Sequence, residues 1–237
     1  LIRQLESKRG IRQPFEAGWM ECFDYTFPER GTGLQANTAL SPESVQSKKI
    51  RILDDTAADS ARILSAGLVS GTSPASSIWL GLDSGNEQDV RNAGQDEEDT
   101  WLDAASRTIF ENIHAANFDS AAYECCIDMV PAGWFVLYVD ENPEGGYHFE
   151  QWQVAQCFIS SSRKGGLIDT IFREDTSTVE QLVTEYGINK VSQTVRDRYL
   201  AQKYDEQIQM VHCIYPRKIS VPGSRLAKNL PFASVHL

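Results

Sequence analysis

Around residues 131–133 the hydrophobic pattern of this 237-residue chain changes its period, and that change limits the fold more than any motif does. Before Pro131 the apolar residues recur every three or four positions, the spacing of one helix face. After Gly133, aromatic and β-branched residues run in short stretches separated by Gly, Pro and Asn clusters, as strands and turns do. Strands that follow helices in this way disfavour the regular alternation of a doubly wound parallel sheet. The expectation is an α+β fold: a mainly helical portion over 1–132, then a β-rich portion over 133–237 with antiparallel hairpins and two further helices. At roughly 100–200 residues per domain, one large or two small domains fit the length, and no internal repeat is visible.

Phe15, Trp19, Phe23 and Phe27 stand four apart, so a helix over 5–27 would carry them on one face. Pro28, Gly31 and Gly33 would end it, and the Gly/Thr/Asn/Ser-rich stretch 31–47 predicts a long surface loop. Asp54 or Asp55 can cap a second helix with Ala57, Ala61, Leu64 and Leu68 on a shared face, a small polar outer side and Gly71 at its end. After a short apolar run, 78–82, a long helix over 87–116 would be striped by Leu102, Ala105, Ile109, Ile113 and Ala116, followed by another over 120–130. Strands 134–139 and 147–152 flank the turn residues 142–146, and a second pair, 154–160 and 167–172, flanks 161–166. Helices return at 178–186 and 192–204 before a last strand at 208–215.

The polar residues offer little chemistry. Consecutive helical residues point about 100° apart, so Asp96, Glu97, Glu98 and Asp99 read as a solvated face, not a metal cluster. His114, His148, His212 and His236 lie in different elements without zinc-site spacing, and His212 and Cys213 would alternate faces of a strand. The five cysteines, Cys22, Cys125, Cys126, Cys157 and Cys213, suggest reduced, buried thiols. Arg30-Gly31-Thr32-Gly33 follows a helix and lacks the Lys-Ser/Thr of a P-loop, and no Gly-x-Ser-x-Gly elbow is present. A net charge of −11 argues against sequence-independent nucleic-acid binding. The small basic groups Lys48-Lys49-Arg51 and Arg163-Lys164 read as loop charge, and acidic neighbours surround the rings of Trp19, Phe23, Tyr25 and Phe27. No run approaches the ~18 apolar residues of a membrane span, and neither a signal-peptide core nor an initiator Met is present. A soluble, intracellular fragment is therefore expected, with no catalytic, cofactor or metal site.

The order of segments says more. WMECFDYTFPERG (19–31), ILDDTAADSARILSAGLVSGTSPASSIWLGL (52–82) and WLDAASRTIFENIHAANF (101–118) are followed by AAYECCIDMVPAGWFVLYVDE (121–141), GGLIDTIFRED (165–175) and NLPFASVHL (229–237). In that order and spacing they resemble the head-to-tail connecting, or portal, proteins of short-tailed bacteriophages, across most of the chain. The resemblance implies a wing-like part of a structural subunit whose stem and clip lie outside this sequence. It also implies a dodecameric ring of identical subunits at the capsid portal vertex of the virion, assembled in the host cytoplasm. Double-stranded DNA would be packaged and ejected through the ring without sequence-specific binding. Major capsid protein, scaffolding protein, the terminase motor and tail adaptor proteins would be its partners, with no membrane. On the helices 5–27 and 87–116, Trp19, Phe23, Trp101 and Ile109 are the candidates for packing between subunits. Two rival readings are an intracellular α+β enzyme, with His212 or His114 set beside Cys213 or an acid in a deep pocket, and a different virion scaffold or interaction protein.

Overall fold

A computed structural model describes residues 1–31, 34, 52–83, 95–142, 145–224 and 226–237. Two compact units emerge: one is the continuous stretch Glu16–Ala155, the other joins Leu1–Phe15 to Gln156–Leu237. Helix α1 (Ile2–Thr26) gives residues to both.

In the continuous unit, α2 (Thr56–Thr72), α3 (Gln95–Ala115) and α4 (Phe118–Ala132) precede a hairpin of β1 (Val136–Glu141) and β2 (Tyr147–Trp152). Helix α4 is its centre, with α2 packed along it and the hairpin laid against it. Phe23, Phe27, Leu34, Ala61, Ile127, Ala132, Val154 and Ala155 form the core. Gly133 ends α4 in the left-handed region, φ 81°, its N–H donating to Met129 O, which is the backbone a glycine adopts without a Cβ clash. The hairpin pairs Val136 with Trp152 and Glu141 with Tyr147, leaving 142–146 as the connection.

Helix α2 turns inward only part of the face its sequence suggests: Ala61 is buried and Leu68 half-buried, but Ala57 and Leu64 are exposed. Ala58, Ala61 and Ser65 are buried, whereas Ile63 and Leu64 are 73% and 52% exposed. Small residues at a helix contact let two axes approach closely, and Ser65 keeps its hydroxyl satisfied there by donating to Ala61 O at 2.8 Å. The helix also runs through Gly71 to Thr72, with Ser73 as its C-cap. Asp55 occupies the N-cap position without a side-chain bond, and Asp54 Oδ1 accepts instead from the Thr56 N–H at 2.9 Å.

The expected surface loop 31–47 begins inside the protein. Gly31 is buried, a Cβ there would meet Phe23 Cβ at 2.8 Å, and Leu34 is fully buried; its residues 32–33 and 35–47 lie outside the described residues, as do residues 87–94 of the long-helix expectation. The described part of that helix, α3, keeps its stripe, with Leu102, Ala105, Ile109 and Ile113 half-buried.

In the second unit a four-stranded antiparallel sheet runs in the order β3 (Cys157–Ser160), β4 (Thr170–Thr178), β5 (Gln207–Pro216), β6 (Phe232–His236). Between β4 and β5 the chain makes α5 (Val179–Tyr186) and α6 (Gln193–Leu200), which share a core of Val179, Leu182 and Val195. The first part of α1 lies on the sheet. Leu5 joins Phe158, Phe172 and Cys213, while Arg12 places its guanidinium 3.8 Å from the Phe158 ring centroid and donates to Cys157 O at 2.8 Å.

A capping box starts α5: the Gln181 N–H donates to Thr178 Oγ1 at 3.3 Å and the Thr178 N–H to Gln181 Oε1 at 2.9 Å. Thr178→Ala removes one acceptor for an otherwise orphaned helical N–H, so urea denaturation should show a loss of about 1 kcal/mol. A loss below the error of the measurement would mean that water replaces the hydroxyl at no cost.

Candidate functional site

The four residues expected at subunit contacts part company in the structure. Phe23, 1% exposed, sits in the core of its own unit. Trp19 packs against the same core with its ring 5.8 Å from that of Trp134. Ile109 is half-buried, and Trp101, on α3, is 66% exposed. Exposed apolar surface in this unit includes Trp101, Ile63 and Leu64 on α2, and Leu53.

Three of the four histidines are engaged, and His148 is exposed on β2. An indole N–H only donates, so Trp79 Nε1–H, 3.1 Å from His114 Nε2, fixes that nitrogen as an acceptor. The ring proton is then on Nδ1, which donates to Asp119 Oδ1 at 2.8 Å. With both nitrogens used and Trp79, Phe110 and Phe118 packed around it, this imidazole joins elements and has no free lone pair to act as a base. His212 Nε2 lies 2.7 Å from Ser234 Oγ, and its ring stacks on His236 with centroids 4.0 Å apart.

Cys213, the next residue, lies in the Leu5–Phe158–Phe172 cluster. Strand alternation puts it across the sheet from His212, and burial pushes its thiol up. The Cys125 thiol is pushed up to about 12, first by burial and then by the charge of Asp128; a nucleophile must be a thiolate, which such a group is not at neutral pH. Four cysteines are buried as the sequence suggests, but Cys22 is exposed. Among the described residues no group of three His, Cys, Asp or Glu could hold a metal ion.

The densest polar arrangement is one that the sequence reading misses. Asp128, 1% exposed on α4, accepts from Arg30 Nη1 at 3.0 Å through Oδ1. Its Oδ2 accepts from Gln151 Nε2 and, at 3.3 Å, from the Val154 N–H. Arg30 also pairs with Glu124. Burial raises the Asp128 pKa, and the Arg30 charge works against that rise. One carboxylate thereby ties the turn after α1, helix α4 and the strand β2 together. The only sequence signal was an acid inside the apolar run Cys125-Cys126-Ile127-Asp128-Met129-Val130. This arrangement builds; it has no open side for a substrate.

Comparison with known proteins supplies what the chemistry does not. The family described as "Bacteriophage head to tail connecting protein" matches residues 1–237. The portal protein of Salmonella phage epsilon15 is 24% identical over 236 residues, and the probable portal protein of Bordetella phage BPP-1 is 22% identical over 236. Each alignment takes in 100% of this chain and 41% of the relative, so the chain spans about two fifths of the length of the curated relatives it matches.

Proposed function

Because the chain belongs to the bacteriophage head to tail connecting proteins, we propose that it forms part of the body of a portal ring, acting as a structural subunit and not as an enzyme. The observation that carries this reading is the family match along the whole chain. The engaged state of His114, His212 and the buried thiols agrees with it.

A closed ring of identical copies is built from heterologous contacts, one patch of each copy fitting a different patch of the next. The ring would be dodecameric and stand at the portal vertex of the capsid, after assembly in the host cytoplasm. Double-stranded DNA would pass through it during packaging and ejection. Capsid and scaffolding proteins, a terminase motor and tail adaptors would bind around it. A net charge of −11 suits a body that lets phosphates slide past without holding them.

Negative-stain microscopy of the full-length gene product tests the reading. Rings with a central channel are the expected result, and dispersed single particles at every concentration and salt would sink it.

Trp101 is the residue of the expected contact set whose ring is available to a neighbour. Trp101→Ala should alter unfolding by less than about 0.5 kcal/mol, as an exposed substitution does. Ring formation should weaken by about 2 kcal/mol, the scale of an aromatic hot spot. Mass photometry across a dilution series reads the second quantity; wild-type assembly in the variant would remove Trp101 from the interface.

A further inference from the structure

A chain with 33 acidic and 22 basic residues collects four of its cations in one place. Lys8 on α1, Arg163 between β3 and β4, and Arg217 and Lys218 after β5 line a groove of about 860 Å3 in the unit formed by Leu1–Phe15 and Gln156–Leu237. Its remaining polar lining consists mainly of hydroxyl and amide groups, including Gln4, Thr170 and the serines at 160–162; among the described residues no carboxylate lines it. Lys8, Arg163 and Lys218 enter no ion pair among the described residues.

The groove is shaped in advance. Arg217 Nε donates to Phe232 O at 3.3 Å. Asp169 accepts from the Ser162 N–H at 2.9 Å and from the Ser162 hydroxyl. The Gly166 N–H donates to Arg163 O at 3.1 Å. A binding loop already held in place loses less entropy when an anion arrives.

We propose that this groove receives the acidic start of α3, Glu97-Glu98-Asp99, from a neighbouring copy. The inference rests on the ring reading and deepens it, supplying the two unlike patches that a head-to-tail contact requires. The three carboxylates are consecutive and exposed. At about 100° per residue they present acid to more than one side of the helix start, as a groove with cations on several walls needs. A phosphodiester backbone offers the same kind of charge and is the occupant the test must separate from a neighbouring copy.

Charge reversal in the full-length gene product decides the matter, with assembly read by mass photometry and folding by thermal unfolding. Arg163→Glu with Lys218→Glu, both at exposed positions, should raise the concentration needed for assembly roughly tenfold. So should Glu97→Lys with Glu98→Lys and Asp99→Lys. All five changes in one chain should return assembly close to the wild-type value, because each patch again meets its opposite. Should the reversals lower the unfolding temperature, the neutral pair Arg163→Gln with Lys218→Gln must still abolish the salt dependence of assembly.

Wild-type assembly in the groove variant, or a five-fold variant no better than its parents, overturns the inference while leaving the ring intact. Loss of labelled duplex DNA binding with assembly unchanged also overturns it, assigning the groove to nucleic acid. A wild-type protein that never forms rings removes the ring reading and this contact together.

Discussion

Arg30→Met should destabilise the protein by about 3–5 kcal/mol, because it leaves Asp128 buried and ionised with its cation gone. The remaining partners, Gln151 and the Val154 N–H, are neutral dipoles and cannot offset the desolvation of a full charge. The pH dependence has a definite sign. Burial already raises the Asp128 pKa against the pull of Arg30, so removing Arg30 raises it further. A carboxyl whose folded pKa lies above its unfolded value stabilises the fold while protonated and loses that contribution as pH rises through the folded pKa. The deficit of Arg30→Met relative to wild type should therefore be largest near neutrality and shrink toward pH 4. Asp128→Asn in the Arg30→Met background should recover part of the loss at pH 7, since the amide oxygen still accepts from Val154 without carrying charge. Urea denaturation of the three proteins at pH 7 and pH 4.5 gives the answer. A deficit independent of pH would mean that the damage lies in lost packing of the Arg30 stem.

Phe23→Ala should cost about 3–5 kcal/mol, the usual range for truncating a buried Phe. The side chain is 1% exposed and belongs to the cluster with Phe27, Leu34, Ala61 and Ile127. Relaxation can fill little of the space, because one wall is backbone: Gly31 lies so close that even a methyl there would meet Phe23 Cβ at 2.8 Å. For a chain of this length the melting temperature should fall on the order of 10 °C. The same variant separates two roles. A side chain used in the core lowers the unfolding temperature of any assembly state, whereas one used between subunits would shift assembly and leave the dissociated protein's melting unchanged. The second pattern would return Phe23 to the interface.

Much of the architecture was legible because it is local. The change of period at Pro131 and Gly133, the hairpin around 142–146 and the helix expected at 178–186 each depend on residues close in sequence, and each is present. The α+β class follows from them. The pairing of β4 with β5, in contrast, joins segments separated by two helices, and no local pattern chooses a partner across such a gap. Faces were less legible than elements. In α2 the apolar pattern places Ala61 inward correctly, but the geometry of close packing against α4 sets Ala58 and Ser65 beside it in place of Leu64. Leu34 reads as loop from its Gly- and polar-rich flanks, yet it completes the core. Asp128 was invisible as a structural centre for a related reason: its partners Arg30, Gln151 and Val154 come from three separate stretches. The alternation of His212 and Cys213 was correctly legible, since it needs only a strand. Of the expected contact residues, the sequence could mark apolar helix faces but not which of them another part of the same chain would cover.

The division of α1 between two units has a consequence for the order in which the protein comes into being. Glu16–Ala155 is one unbroken stretch, so on a ribosome it can reach its native contacts before residues 156–237 have been made. The other unit cannot. Leu5 and Arg12 are synthesised before that stretch, but Phe158, Phe172 and Cys213, which receive Leu5, and the Phe158 ring under Arg12 are synthesised after it. The opening turns of the helix therefore wait, with Leu5 uncovered, while a whole neighbouring unit folds, and an uncovered apolar residue in a nascent chain is open to the wrong partner. Translation speed through the segment after Ala155 should thus govern the yield of correctly folded subunits more than speed anywhere before it.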